Sequence, residues 1–185
     1  MSLRLVLLDR DGVLNVDRPK SVRSPEELEM LPGAAAAVAR LNRAGVRVAV
    51  VTNQSVVGRG LIDAAMLERI HERLSGALAT SGAHLDALLS CPDHPDRPTP
   101  RRKPGPGMLQ EALAAFGAEA AETPMVGDAL RDLQAAAAAG CPRILVRTGK
   151  GAETEAAGLP EAVRPVACFD DLSAAVDSLL AQRLS

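Results

Sequence analysis

Leu3-Arg4-Leu5-Val6-Leu7-Leu8-Asp9-Arg10-Asp11-Gly12-Val13-Leu14-Asn15 opens with an aliphatic run that stops on three charged residues and a glycine. The unbroken apolar stretch, Leu5 to Leu8, is too short for a signal peptide or a membrane span and suits a buried strand. Similar β-branched or aliphatic runs return at 46–51, 85–89, 125–126, 144–146 and 166–169, and with 3–8 they predict the strands of one sheet. Between them lie Ala-, Leu- and Arg-rich stretches with helical spacing, at 34–44, 63–80, 108–116, 130–139 and 172–183. This alternation predicts an α/β fold, a doubly wound parallel sheet built from βαβ units. Gly45, Gly82, Gly117 and Gly140 follow helical stretches as carboxyl-terminal caps, so punctuation and periodicity agree.

At ~100 to 200 residues per domain, the 185 residues predict a single domain spanning 1–185. Two segments interrupt its rhythm: 15–32, with three prolines, and 92–107, with six prolines among three arginines and a lysine. Segments this long in a compact domain are usually functional, so both are read as loop inserts that cover a site. Basic and acidic residues nearly balance, 21 against 23 for a formal charge of -2, which leaves no broad positive field for nucleic acid. The chain has no Trp or Tyr and only Phe116 and Phe169, so stacking platforms for bases are missing as well. Cys91, Cys141 and Cys168 are odd in number and widely spaced, which reads as reduced thiols and not as a disulfide frame. The expectation is a cytoplasmic protein with no nucleic-acid or membrane partner.

In a parallel sheet, ligands bind beyond the carboxyl ends of the strands, where Asp9 and Asp11 fall. Residues two apart on a strand share a face, so the two carboxylates can converge on a divalent cation if extended geometry persists to Asp11. The same residues also suit a solvated Asp-Gly turn. The second strand runs into Thr52-Asn53-Gln54-Ser55, four hydroxyl and amide side chains that can present donors to phosphate oxygens or form an ordinary polar turn. Lys occurs only at 20, 103 and 150, against eighteen arginines, and Lys103 stands just ahead of a helix. A compact ammonium suits a phosphoryl group, where Arg suits planar bidentate recognition. Finally, Gly127-Asp128 joins a strand to a helix, and Asp132 follows one helical turn later. Asp128 is also a good helix cap.

Asp9-x-Asp11-Gly12, Thr52, Lys103, and Gly127-Asp128 with Asp132 resemble, in order, the four motifs of the haloacid dehalogenase superfamily of phosphatases. The stretches 8–12, 51–55, 102–104 with 106–108, and 146–150 narrow the resemblance to the subfamily that holds the heptose-1,7-bisphosphate 7-phosphatases and the histidinol-phosphate phosphatases. The resemblance covers nearly the whole chain. It implies a Rossmann-like core without a large cap domain, because 12–51 and 56–102, where caps are inserted, are filled by the predicted elements. It implies Asp9 as the nucleophile that becomes an aspartyl phosphate, Asp11 as general acid and then base, and Thr52 and Lys103 as stabilisers of the phosphoryl oxygens. Mg²⁺ is expected on Asp9, Asp128 and the Asp11 main-chain carbonyl, with Asp132 and Lys150 in support. Arg10, Asp17, Asn53, Gln54, Ser55, Arg59 and Arg102 are the expected substrate contacts. For a bisphosphate, Arg59, Arg102 and Lys150 are the candidates for the second anion.

Relatives in this subfamily typically hold a structural zinc in the loop before the Lys motif, through Cys-x-His and then Cys-x-Cys. Here the loop reads Cys91-Pro92-Asp93-His94, and Thr99 and Arg101 stand where the second pair would be. A closed zinc site needs four ligands, so zinc is expected to be absent, with Cys91, Asp93 and His94 left as a partial set. Val56, Gly105 and Ala129 also depart from the usual residues and bear on substrate identity. The expected activity is Mg²⁺-dependent removal of the 7-phosphate from a heptose 1,7-bisphosphate by a monomer acting on a small sugar phosphate. Histidinol phosphate is the alternative substrate, and a non-catalytic phosphosugar-binding module is a third reading that intact Asp9, Asp11, Lys103 and Asp128 argue against.

Overall fold

A computed structural model describes residues 3–183. The elements follow in the order β1 (Leu5–Leu8), α1 (Ala34–Arg43), β2 (Arg47–Asn53), α2 (Ser55–Gly58), α3 (Ala64–Ala79), β3 (Ala87–Cys91), α4 (Gly107–Phe116), β4 (Met125–Gly127), α5 (Leu130–Ala139), β5 (Arg143–Val146), α6 (Gly151–Ala156), β6 (Val166–Phe169) and α7 (Leu172–Arg183). The six strands form one sheet in the order β3-β2-β1-β4-β5-β6, and every pairing is parallel. The predicted doubly wound α/β fold is therefore present, without a large cap. No helix among the described residues is long and apolar enough to cross a membrane.

Strand alternation sorts the core into two layers. Val6, Leu8, Val48 and Val50 face α1, α3 and α7 through residues such as Val38, Ile70, Leu74 and Val176. Leu5, Leu7, Ala49 and Val51 face α4 and α5 through Met108, Leu109, Ala135 and Ala136. β1 is buried on both faces, as its unbroken apolar run requires. Each fully buried aliphatic side chain stabilises the fold by about 1.5–3 kcal/mol, so this double layer fixes the register of the central strand. The α3 helix starts on the Asp63 cap, whose carboxylate accepts from Met66 N at 2.7 Å, and buries Leu67, Ile70, His71, Leu74 and Leu78 on one stripe.

The chain runs outward from β1 to β2 and β3, then returns to the other side of β1 at β4. The crevice at the carboxyl ends of β1 and β4 is thus the topological switch point, where a ligand site is expected.

Several boundaries differ from the sequence reading. Thr52 and Asn53 are the last residues of β2, not the start of a turn, and β3 runs to Cys91. Helices α2 and α6 were not anticipated, because four and six residues carry too little periodicity to be read. Segment 15–32 is tied down by Val16 N to Glu29 O at 2.8 Å and Leu31 N to Leu14 O at 2.9 Å, contains a 3₁₀ turn at Pro25–Glu27, and plants Val22 and Leu28 in the core.

His71 supplies a stability prediction. Burial, and then the Arg10 guanidinium, push the ring down to about 4, against a partial pull upward from Asp11. An unfolded chain takes up this proton near pH 6.5, so the native state falls behind as pH drops from about 6.5 to about 4, and the contribution is complete only above that window. Asp128, raised to about 7, acts in the opposite sense over pH 4–7, so the effect is isolated by difference. Relative to wild type, His71→Leu should gain on the order of 3 kcal/mol of unfolding free energy between pH 7 and pH 4. Urea midpoints that run parallel across this range would contradict it.

Candidate active site

Lys103 is the centre of the site. Its Nζ lies 3.0 Å from Asp9 Oδ1, 2.7 Å from Asp132 Oδ1 and 2.8 Å from the Val51 carbonyl. The ammonium thus donates to one main-chain carbonyl and forms close ion pairs with two carboxylates. The stem is held from the β2 side by a two-point clamp: Asn53 Nδ2 donates to Lys103 O at 2.9 Å, and Lys103 N donates to Asn53 Oδ1 at 3.1 Å. Burial disfavours the charge, but Asp132 and Asp9 outweigh it and hold the amine above its ordinary value.

Asp9 follows β1 directly. Its Oδ1 accepts from Arg10 N at 2.8 Å as well as facing Lys103, and Oδ2 has no partner among the described residues. Burial, reinforced by Asp132 and Asp11 and opposed by Lys103, raises its pKa. The expected convergence of the Asp9 and Asp11 carboxylates does not occur. The strand ends at Leu8, and residues 10–15 turn back through Leu14 N to Arg10 O and Gly12 N to Asn15 O, at 2.8 and 2.7 Å. The Asp11 carboxylate instead receives Arg10 Nη2 at 3.0 Å on both oxygens, Asn15 Nδ2 at 2.9 Å and Gln54 Nε2 at 2.8 Å. Burial would raise its pKa; Arg10 and these hydrogen bonds carry it below the ordinary value.

The carboxylates that do converge are Asp9, Asp128 and Asp132, each buried, with one oxygen from each lying within 4.8 Å of the others. Asp132 is spent on Lys103 and on Ala129 N, at 3.0 Å. Asp128 Oδ2 accepts from Lys150 N at 2.8 Å, whereas Asp128 Oδ1 is buried with no hydrogen-bond partner. Burial and then Asp9 push the Asp128 carboxyl up to about 7. A buried orphan oxygen on Asp128 close to the Asp9 carboxylate fits a small hard cation, which takes one or two carboxylates and leaves the remaining positions to water and phosphate.

The remaining expected residues are distributed unevenly. Thr52, at the end of β2, accepts from Gln54 Nε2 at 3.0 Å and so keeps its hydroxyl proton for another acceptor. Gln54 is nearly fully buried and joins Thr52 to Asp11, and Ser55 begins α2. Arg10 corrects its expected role: its side chain is 0% exposed and turned onto Asp11, so it can orient Asp11 but cannot reach a substrate. Lys150 Nζ, expected at a second anion, is 3.3 Å from Asp17 Oδ2, so both of those residues already have a partner. Arg59 is exposed after α2, and Arg102 is half-buried with Nη1 donating to Asp93 O at 3.2 Å. Asp93 Oδ2 takes Thr99 N and Oγ1, at 2.7 and 2.6 Å; the described residues group no other set of three potential metal ligands besides Asp9, Asp128 and Asp132. The sequence reading missed the main-chain N–H of Lys150, which orients Asp128, and Arg131, which stands beside Asp132. A main-chain donor has no sequence signal; Arg131 had one, in its place between Asp128 and Asp132.

A family model described as HAD-hydrolase-like matches residues 100–175. The D-glycero-beta-D-manno-heptose-1,7-bisphosphate 7-phosphatase of Bordetella bronchiseptica is 46% identical over 96% of this chain and 98% of its own length. The enzyme of that name from Pseudomonas aeruginosa is 42% identical over 97% and 99%. A crystal structure of the B. bronchiseptica D,D-heptose 1,7-bisphosphate phosphatase complexed with magnesium and phosphate superposes with a TM-score of 0.92, covering 97% of this chain and 99% of that one.

Gly12 offers a test of the acidic cluster. Its φ is +83°, and a Cβ there would stand 2.0 Å from Asp128 Oδ2. Gly12→Ala must therefore displace Asp128 and also strain a left-handed residue by roughly 1–2 kcal/mol. We expect a folded protein whose affinity for a divalent cation, read by titration calorimetry, falls at least about tenfold, which corresponds to only ~1.4 kcal/mol. Unchanged affinity would show that Asp128 is not held as described.

Proposed function

Since the chain belongs to the haloacid-dehalogenase-like hydrolases, among the D-glycero-beta-D-manno-heptose-1,7-bisphosphate 7-phosphatases, we propose that it removes the 7-phosphate of a heptose 1,7-bisphosphate through an aspartyl phosphate on Asp9. The observation that carries this reading is Asp9 itself: Oδ1 is fixed by Arg10 N and Lys103, and Oδ2 is free. An oriented nucleophile loses little freedom on reaching the transition state.

In the first step Asp9 Oδ2 attacks phosphorus, the bond from phosphorus to the sugar oxygen breaks, and Asp11 gives its proton to that oxygen. In the second, Asp11 takes a proton from water as the water oxygen attacks phosphorus, which releases phosphate and restores Asp9. Lys103 and the free hydroxyl proton of Thr52 stabilise the negative charge on the transferring oxygens. Asp9, Asp128 and the Asp11 main-chain carbonyl, with Asp132 in support, would hold magnesium, which would supply positive charge that offsets repulsion between the carboxylates and the phosphoryl group. Asn53 and Gln54 keep Lys103 and Asp11 in place, and Ser55, Arg59 and Arg102 line the approach. With no large cap over the switch point, the sugar and its second phosphate are selected from the loops. The chain acts as a monomer and a single catalytic unit, in the cytoplasm, on a small diffusible sugar phosphate.

Purified protein with Mg²⁺ should release phosphate from heptose 1,7-bisphosphate faster than from hexose monophosphates or histidinol phosphate, and chelation by EDTA should abolish the reaction. Asp9→Asn should lower kcat by roughly a thousandfold or more while leaving the fold intact, since amide and carboxylate have nearly the same volume. Asp11→Asn should cost about 10²- to 10⁴-fold. Wild-type rates in Asp9→Asn would refute the covalent route, and a preference for histidinol phosphate would reassign the substrate.

A further inference from the structure

Arg131, in the first turn of α5, has a half-buried side chain whose Nε is enclosed without a hydrogen-bond partner. Its guanidinium makes no hydrogen bond or ion pair with any described residue. Other arginines of comparable exposure behave differently: Arg101 is paired with Glu111, and Arg147 with Glu155 and Asp170. A guanidinium left with open donors beside a reaction centre needs an explanation, since five fixed N–H groups suit a planar or tetrahedral anion.

Two more cations share the same rim. Lys103 and Asp132 are 2.7 Å apart, and Arg102 and Arg131 are their respective chain neighbours, so the two arginines flank one short ion pair. Arg102 reaches back to the Asp93 carbonyl, and the neighbouring Pro92 carbonyl accepts Gly58 N at 3.0 Å, immediately before Arg59. The close approach is enforced, because a Cβ on Gly58 would lie 2.3 Å from Pro92 O. Arg59, Arg102 and Arg131 are thus strung along one chain of contacts that passes the catalytic lysine. Burial lowers the pKa of Arg102, and the positive charges of Arg131 and Arg59 lower it further, against a partial pull upward from Cys91 and Asp93, as expected of cations that stand close to one another. Lys150, the third cation expected from the sequence, has Asp17 as its partner and is replaced in this rim by Arg131.

We propose that Arg131 is a specificity-determining residue that completes, with Arg102 and Arg59, a second anion site for the phosphate remote from the reacting one. This rests on the bisphosphatase reading above. A bidentate arginine contact to that phosphate contributes binding energy away from the reacting centre and aligns the scissile phosphate with Asp9. The competing role is charge balance, since Asp132, Asp9, Asp128 and Asp17 all act on Arg131. That role concerns the acidic cluster and would affect every substrate alike.

The experiment measures kcat and KM for heptose 1,7-bisphosphate and for heptose 7-phosphate in wild type, Arg131→Ala and Arg131→Lys. Arg131→Ala should lose roughly ten- to a hundredfold in kcat/KM on the bisphosphate, the worth of one charge-assisted hydrogen bond, and under about threefold on the monophosphate. Arg131→Lys, which keeps the charge and loses the fork, should fall between. Equal losses on both substrates would assign Arg131 to charge balance and overturn the proposal. If wild type does not hydrolyse the heptose bisphosphate, the functional reading fails by itself. The ratio is then read on whichever sugar bisphosphate and matching monophosphate the enzyme does hydrolyse, and a ratio unchanged in Arg131→Ala rejects the Arg131 assignment there as well.

Discussion

The ammonium of Lys103 is the point at which the architecture becomes chemistry. Its three partners are Asp9 just after β1, Val51 in β2 and Asp132 in α5, so it ties two neighbouring strands to the helix that follows β4, on the other side of the switch point. Burying one cation with two carboxylates is expensive, and an apolar cluster of similar volume would be about as stable, so such a cluster is weak evidence for stability. Removing only the lysine would strand two buried carboxylates, at a cost of about 3–5 kcal/mol. The arrangement is understandable as one kept for reaction: a charge already desolvated and aimed at Asp9 needs no reorganisation when a phosphoryl group arrives.

Around this centre the arginines divide by direction. Arg10 points inward, is wholly buried, and spends one nitrogen on both Asp11 oxygens. Arg59, Arg102 and Arg131 stand at the rim with most of their donors open. In a chain with a formal charge of only -2, these three are a local group of cations. The buried carboxylates of Asp9, Asp128 and Asp132 all act on Arg131.

The sheet and its five long helices were legible because the strands are short aliphatic or β-branched runs, with β1 and β4 buried throughout, and each helix repeats its apolar stripe over at least two turns. Asp9, Thr52 and Asp128 were legible as residue types at strand ends, and Lys103 as a rare lysine just ahead of a helix. What could not be read was orientation. Asp9 and Asp11 share a strand face only while the chain is extended, and the turn beginning at Arg10 swings Asp11 away, so that Asp132, from another element, becomes the third carboxylate of the cluster. Arg10 looked available because sequence does not reveal that a guanidinium two residues from a strand end is folded back onto its neighbour. Lys150 looked available because its partner, Asp17, lies 133 residues earlier in a proline-containing loop.

The two aspartates of the first motif end in opposite electrostatic settings, and this has a consequence for the order of events. Asp11 is held ionised by Arg10, Asn15 and Gln54, whereas a general acid has to carry a proton when the sugar oxygen leaves. The setting therefore suits the second step, where Asp11 acts as base, better than the first. An arriving phosphate dianion changes the balance, because a like charge beside Asp11 favours its protonated form. On the proposed route, protonation of Asp11 would be coupled to substrate entry, either from solvent or with the phosphate monoanion, whose second pKa is near ~6. The same hydrogen bonds from Arg10 and Asn15 to the Asp11 carboxylate also hold the turn from Arg10 to Asn15.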